Sequence, residues 1–374
     1  MKNRLKKIKI GVLTSSQAEY GAYKPLLRAL SREEKIDLTI IAFGMHLKNK
    51  YGKSINQIKK DRFGRIDIIE GLSSKDNPKD IVNSYGTIIK EFSRYWEKNN
   101  FDLIITYGDR FEMSAAVQSG IPFELKYIHL HGGEITKGAI DNIYRDQITL
   151  ASKVHFVVTD KYFNRVAKLI RSKKNIYNFG SLSLDGLRKT KLPKWDDVCK
   201  KFNIKNGKNF ILVTFHPETV GSEKNHEYSK IIFSTLKEIT KTNNIIITLP
   251  NADTFANKYR LKMLELKRNY PEKISLVENF GRENYFSAMK NCNMLIGNSS
   301  SGIYEAATFN KYVINVGNRQ KGRLQSKNIF NVIFNQARIL KQFNKVRSMG
   351  NFNGKNIFEK KDTARKMLEI IINE

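Results

Sequence analysis

Short apolar runs separated by segments of helical spacing recur along the chain. Lys7 to Thr14 reads as a buried strand and Gln17 to Leu30 as the helix after it, with Gly11 and a Thr-Ser-Ser turn marking the join. Further apolar runs follow at Ile36 to Phe43, Leu103 to Tyr107, Tyr127 to Leu130, Val154 to Thr159 and Ile176 to Phe179. Strands that alternate with helices predict a parallel, doubly wound sheet whose ligands sit beyond the carboxyl ends of the strands. From about Ser181 to Lys208 the periodicity fades while charges and Pro193 intrude, as in a link between domains. The pattern then restarts. Strands at Phe210 to Phe215, Ile245 to Leu249, Ile274 to Val277, Met294 to Ile296 and Tyr312 to Val316 alternate with helices such as Tyr228 to Thr240 and Asn284 to Asn291. The expected architecture is α/β, with two Rossmann-type domains facing each other across a cleft. Residues 1–180 form the first, 181–208 the link and 209–355 the second. An amphipathic helix within 356–374 is expected to pack back across the junction.

Composition narrows the function classes. A chain of 374 residues exceeds what one core usually supports, which agrees with two domains. The net charge of +30 raises the question of a nucleic-acid partner. The lysines, however, are spread along the whole length without aromatic interleaving, so no specific nucleic acid is expected. A basic surface instead favours a doubly negative small substrate. Cys199 and Cys292 are the two cysteines, which fits a reducing compartment rather than a disulfide framework. The first apolar run, Ile8 to Leu13, is too short for a signal-peptide core and is broken by Lys9. No segment is long and apolar enough to span a bilayer, so a cytoplasmic protein without membrane insertion is expected.

The most informative stretch runs from Met294 to Ala307. An apolar run ends at Ile296, a Gly/Asn/Ser cluster containing Asn298, Ser299, Ser300, Ser301 and Gly302 follows, and a helix pattern starts near Ile303. Backbone N–H groups and serine hydroxyls at such a join suit an anion such as phosphate. An ordinary N-cap is the competing reading. With Ser301 as N-cap, a capping-box glutamate belongs at Tyr304, and Glu305 falls one residue late. That spacing frees Glu305 to accept hydrogen bonds from ribose hydroxyls, and phosphate together with ribose points to a nucleoside diphosphate.

Other polar groups also cluster at predicted strand ends. His216 precedes Pro217, which biases it toward extended geometry at the end of its strand, in a structural role or in a catalytic or phosphate-contacting one. Asp109 and Glu112 have the spacing of a capping box with Arg110 as a surface charge, or they belong to a site. His129 and His131 would share one strand face beside Glu134, an arrangement open to a metal site. No further ligand set accompanies them, so neither a metal nor any other cofactor is expected. A carboxylate at Glu134, after two glycines, suits proton abstraction. Asp141 and Arg145 have the spacing of a helical ion pair, while Asp109, Glu134 and Asp141 together form a carboxylate group suited to acid/base work.

These residues resemble the hydrolysing UDP-N-acetylglucosamine 2-epimerases. The likeness is carried by Gly108 to Glu112, His131 to Glu134 followed by Gly138 to Asp141, Phe215-His216-Pro217, Pro250 to Asp253, Ile296 to Gly302 and Gly317 to Arg323, and it runs from about Lys9 to Val332. The resemblance implies a GT-B-like fold and an enzyme that expels UDP from C1 of UDP-GlcNAc while removing the C2 proton. Hydration of the resulting glycal then gives N-acetylmannosamine. It assigns acid/base work to Asp109, Glu134 and Asp141, with His131 in the same set, and places His216 at the phosphates. Nucleotide contacts fall to Gln17, Asn298, Ser299, Ser300, Ser301, Gly302, Glu305 and Arg319, and other substrate contacts to Arg110, Glu112, Arg145, Asn251, Asp253 and Arg323. It implies a UDP-sugar substrate and is compatible with a homodimer or homotetramer. Two positions depart from the pattern. Gln17 stands where the first loop of the family has arginine, and Asp146 where an Arg-His-Ala-Ile-Thr run has histidine. The alternatives are the same chemistry on a GDP- or UDP-linked bacillosamine derivative, a GT-B glycosyltransferase, and a sugar-nucleotide-binding protein without turnover.

Overall fold

The computed structural model describes residues 7–49, 54–72, 77–137, 140–205, 207–218, 222–250 and 256–374. The chain divides into two units, one made of Met1–Glu134, Asp141–Gly186 and Phe358–Glu374, the other of Ile135–Ile140 and Leu187–Ile357. The fold is GT-B-like, with two Rossmann-type parallel sheets.

In the first unit the strands are β1 (Ile8–Thr14), β2 (Ile36–Phe43), β3 (Arg65–Ile69), β4 (Leu103–Tyr107), β5 (Tyr127–Leu130), β6 (Ser152–Val157) and β7 (Ile176–Asn178). They lie in the order β3-β2-β1-β4-β5-β6-β7, and every pairing is parallel. The order reverses between β1 and β4, so the loops after Thr14 and Tyr107 open at the switch point where doubly wound sheets bind ligands. Side-chain alternation gives the sheet two apolar faces. Ile10, Val12, Ile40, Ala42, Leu103 and Ile105 join one core with helix α1 (Gln17–Arg32) and the C-terminal helix (Thr363–Asn373). Leu13, Ile41, Phe43 and Ile104 face the other, against α3 (Pro78–Lys98), α4 (Phe111–Ser119) and α5 (Asp141–Ala151). Between β2 and β3 lies the short α2 (Ile55–Asp61), and α6 (Asp160–Ile170) follows β6.

The second unit repeats the scheme with β8 (Phe210–Thr214), β9 (Asn244–Thr248), β10 (Ile274–Val277), β11 (Met294–Gly297), β12 (Val313–Val316) and β13 (Ile329–Val332). Their order, β10-β9-β8-β11-β12-β13, is the first unit's order with one strand fewer. The switch point therefore falls between β8 and β11. Ile211, Val213, Ile245 and Ile247 pack on one side against α8 (Asn225–Thr240), α9 (Ala256–Asn269) and α12 (Gln336–Arg347). Phe210, Leu212 and Ile246 pack on the other against α7 (Trp195–Lys201) and α10 (Arg282–Asn291). Full burial of each such aliphatic side chain is worth about 1.5–3 kcal/mol.

The apolar runs did not announce β3 or β13. Both are edge strands and half exposed, so neither reads as a continuous apolar run. The segment 181–208 carries two 3-10 turns and α7, whose Trp195 stacks on Phe210 at 5.0 Å and donates to the Gly207 carbonyl at 2.6 Å. The C-terminal helix, α13 (Thr363–Asn373), belongs to the first unit, where the Asp185 carboxylate accepts from the Thr363 and Ala364 N–H groups at its start. Among the described residues no helix is long and apolar enough to cross a membrane.

Candidate functional site

At the switch point of the first unit, the loop after β1 is closed by a buried capping box. Ser16 caps α1, while the Glu19 carboxylate accepts from the Ser15 and Ser16 N–H groups at 2.8 and 3.2 Å. Burial pushes the Glu19 carboxyl up to about 7, against the lowering effect of nearby Arg110 and the Ser15 N–H. Gln17 begins α1 beside this box.

The loop after β4 presents Asp109. The guanidinium of Arg145, a fully buried side chain of α5, binds the Asp109 carboxylate. The same arginine donates to the Asn142 side chain and to the Glu134 carbonyl, each at 2.8 Å. Arg145 therefore ties together residues from the ends of β4 and β5, beyond any partner on its own helix. The Asp109–Glu112 capping box does not form. Arg110 occupies the N-cap of α4 without a side-chain cap bond, and Glu112 pairs with Arg110 through two hydrogen bonds of 3.0 and 3.2 Å.

Beyond β5 the chain turns sharply. His131 has φ +66°, a left-handed conformation that costs a side-chain-bearing residue about 1–3 kcal/mol and is held only where surroundings enforce it. Its Nδ1 lies 2.8 Å from the Glu134 carboxylate, and its ring packs on Tyr107 with centroids 4.6 Å apart. Both His131 and Glu134 are buried. Gly133, at φ +82°, is required here, since a Cβ would fall 2.6 Å from the Tyr162 carbonyl oxygen. The left-handed turn breaks the strand alternation, so His129 and His131 do not form the shared face that a metal site would need. His129 instead engages Thr149 Oγ1 at 3.1 Å and the Gly108 carbonyl at 2.9 Å, and burial lowers its pKa to about 3. Among the described residues no group of three or more His, Cys, Asp or Glu is arranged to hold a metal ion.

One residue that the sequence did not mark completes this half. Arg165 of α6 donates to the Glu134 carbonyl at 2.9 Å and to Asp146 at 2.7 Å. Nothing in its spacing separates it from an ordinary helical charge. Asp141 begins α5, one turn before Arg145.

In the second unit the switch-point loops are held largely by neutral groups. Gly297 ends β11 so close to β8 that a Cβ would fall 1.9 Å from the Thr214 carbonyl oxygen. This approach lets Asn298 bracket the His216 backbone, with the His216 N–H donating to the amide oxygen at 2.7 Å and the amide nitrogen donating to the His216 carbonyl at 2.8 Å. The Asn298 carbonyl accepts from Gln320 at 2.8 Å and Arg319 at 3.3 Å. The following helix, α11 (Ser300–Tyr304), starts three residues earlier than its apolar pattern suggests. Its N-cap is therefore Ser299, not Ser301, with the Ser301 N–H donating to Ser299 Oγ at 3.4 Å. Ser301 Oγ pairs with Tyr285 at 2.8 Å, Gly302 is buried, and Glu305 stands at the C-cap, 9% exposed.

Glu218 is a second residue without a sequence signal of its own. It is buried, its carboxylate accepts from the Asn318 and Arg319 N–H groups, and burial raises its pKa despite those bonds. Arg323 donates to Gln320 at 2.7 Å and lies over the Tyr304 ring at 5.7 Å. The segment that joins Glu134 to Asp141 belongs to this unit, where the Lys137 N–H donates to the Lys321 carbonyl at 2.7 Å. Asn251 and Asp253, with Gly138 and Ala139, lie outside the described residues.

The chain as a whole is similar to known proteins in sequence and in fold. A family model described as UDP-N-acetylglucosamine 2-epimerase matches residues 28–372. The GDP/UDP-N,N'-diacetylbacillosamine 2-epimerase (hydrolyzing) of Campylobacter jejuni is 32% identical over 329 residues, 87% of this chain and 84% of that protein. Polysialic acid biosynthesis protein P7 of Escherichia coli is 30% identical over 336 residues, 90% of this chain and 85% of the relative. The structure of UDP-GlcNAc 2-epimerase from Neisseria meningitidis bound to UDP-GlcNAc superposes with a TM-score of 0.81 at 16% identity, covering 98% of this chain and 100% of that one.

Proposed function

Since the chain belongs to the UDP-N-acetylglucosamine 2-epimerase family, we propose that it is a hydrolysing 2-epimerase converting UDP-GlcNAc and water to N-acetylmannosamine and UDP. The observation that carries this reading is the tie of Asp109 and the Glu134 backbone to one buried arginine, with the Glu134 carboxylate against His131. Carboxylates held at adjacent strand ends supply the two proton movements that the chemistry requires. In the first step a base removes the C2 proton and the C1–O bond to the diphosphate breaks, releasing UDP and a glycal. In the second, water adds a hydroxyl to C1 and a proton returns to C2 from the opposite face. Asp109, Glu134 and Asp141 are the proposed acid/base groups, with His131 hydrogen-bonded to Glu134. In the second unit His216, Ser299, Ser300, Ser301 and Arg319 are the proposed diphosphate contacts, and Glu305 the ribose contact.

Gln17 offers hydrogen bonds in place of an arginine's charge, and Asp146 pairs with Arg165 in place of a titratable imidazole. Relatives at 32% identity that act on diacetylbacillosamine favour a second reading, the same elimination and hydration on a UDP- or GDP-linked diacetylbacillosamine. The test is incubation with each sugar nucleotide in D₂O, followed by NMR of free nucleotide and released sugar. The proposal expects UDP release from UDP-GlcNAc and N-acetylmannosamine carrying deuterium at C2. Release only from the diacetylated substrate selects the second reading. UDP release with the C2 proton retained overturns the elimination chemistry, as a glycosyltransferase or simple hydrolase would give.

A further inference from the structure

We infer that Arg165, oriented by Asp146, is a positioning residue for the Glu134 carboxylate. The inference rests on the reading of Glu134 as an acid/base group. Glu134 stands at an awkward point of the chain. It follows a left-handed His131 and the crowded Gly133, and the next residue already belongs to the other unit. Its carbonyl accepts instead from two guanidinium groups, Arg145 Nη1 at 2.8 Å and Arg165 Nη1 at 2.9 Å, which fills both lone pairs of the oxygen. Fixing that carbonyl fixes the peptide plane after Glu134. The direction of its Cα–Cβ bond follows, and with it the 2.8 Å contact of the carboxylate with His131.

The two arginines reach the carbonyl from different helices. Arg145 is fully buried and anchored on Asp109. Arg165 is part exposed, and its remaining anchor is the Asp146 carboxylate at 2.7 Å, offered from the turn of α5 that also carries Arg145. A pair exposed to this degree, 29% and 28%, adds little stability by itself. Its directional effect is larger, because a planar guanidinium held at one nitrogen by a carboxylate presents another at a set angle to the carbonyl. Loss of either member leaves Arg145 as a single tether, about which the peptide can pivot.

The test uses the full-length protein with Arg165→Ala, Arg165→Lys, Asp146→Asn and Glu134→Gln. Amide hydrogen exchange without substrate is expected to rise across residues 131–135 in Arg165→Ala and Asp146→Asn while α6 keeps its protection. In turnover, Arg165→Ala is expected to lower kcat about 10–100-fold with KM within about twofold, the cost of a carboxylate displaced by about an ångström. Arg165→Lys should recover part of that loss. In the Glu134→Gln background, Arg165→Ala should cost nothing further, since the group it aims is gone. Unchanged exchange at 131–135 overturns the inference, and so does an equal kcat loss in both backgrounds. If the wild-type protein turns over none of the sugar nucleotides, the functional reading falls and the exchange measurement alone decides the positioning role. Should Arg165→Ala not fold, Arg165→Lys and Asp146→Asn carry the same measurements.

Discussion

The two units share one strand order but fasten their switch-point loops by different means. The first uses charge. Arg145 holds Asp109, Arg110 holds Glu112, Arg165 holds Asp146, and both Arg145 and Arg165 close on the Glu134 carbonyl. In the second, Asn298 brackets His216, serines pair with each other and with Tyr285, and Glu218 meets backbone N–H groups. Each style suits a different task. Guanidinium groups hold the carboxylates and the Glu134 carbonyl in set positions at adjacent strand ends, where acid/base groups have to be aimed. The amides and hydroxyls of the second unit are fixed mostly by one another, with Glu218 as the one carboxylate named among them, and they leave hydrogen-bonding groups for a phosphate. The same topology is thus fastened through ion pairs in one unit and mainly through neutral hydrogen bonds in the other.

The sharpest break of this comparison is expected from Glu134→Gln and Asp141→Asn. Amides keep the shape but cannot take up a proton, so kcat should fall by roughly 10²–10⁴-fold while UDP affinity stays nearly intact. Carboxylates with a purely structural role predict the reverse, a lowered melting temperature with turnover preserved in the folded fraction. Measuring melting temperature, UDP binding and kcat on the same variants separates these outcomes.

A smaller effect concerns pH. Burial lowers the pKa of His46 and His129 to about 3 and that of His155 to about 4, all in the first unit. A base whose folded pKa lies below its unfolded value near 6.5 binds fewer protons when folded. Its stabilising contribution is therefore present above that pH and lost as the pH falls toward 3–4. Glu19 runs the other way. Its folded pKa of about 7 exceeds the ordinary 4.5, so the stability it lends in acid is lost between those values as the pH rises, to the extent of about 3 kcal/mol. Acid unfolding should accordingly begin in the first unit, and Glu19→Gln should gain on the wild type as the pH is raised from 5 to 8. The two tryptophans report the units separately, Trp96 in α3 and Trp195 in α7. Denaturation followed by fluorescence in Trp96→Phe and Trp195→Phe tests the order, and a common acid midpoint for both would contradict it.

What the sequence disclosed follows the same division. Interior strands were legible because both faces are buried and the apolar runs are continuous, and the edge strands β7 and β10 were legible as well, whereas the half-exposed β3 and β13 were not. Residues in short polar clusters at strand ends, such as Asp109, Glu134 and Asn298, stood out by position. Arg165 and Glu218 did not, because the groups they hold are distant in sequence: the Glu134 carbonyl, 31 residues away, and the Asp146 carboxylate, 19 away, for Arg165, and the Asn318 N–H, 100 residues away, for Glu218. The cap of α11 was misplaced by two residues for a local reason. Three successive serines all satisfy the N-cap preference, so residue type alone does not say which one caps the helix.

The smallest effect is expected at Glu305, and it tests the second unit directly. Its side chain stands at the end of a one-turn helix, nearly buried, in a unit whose loops are fixed mainly by neutral bonds. A carboxylate that accepts from ribose hydroxyls does so equally before and during bond breaking, so its removal weakens substrate and transition state together. Glu305→Ala should then raise KM by about tenfold, near 1.4 kcal/mol, with kcat within about twofold. Glu305→Gln should lie between, because an amide oxygen still accepts one hydrogen bond. A collapse of kcat at unchanged KM would instead place Glu305 in the proton transfers and end the division of labour between the two units.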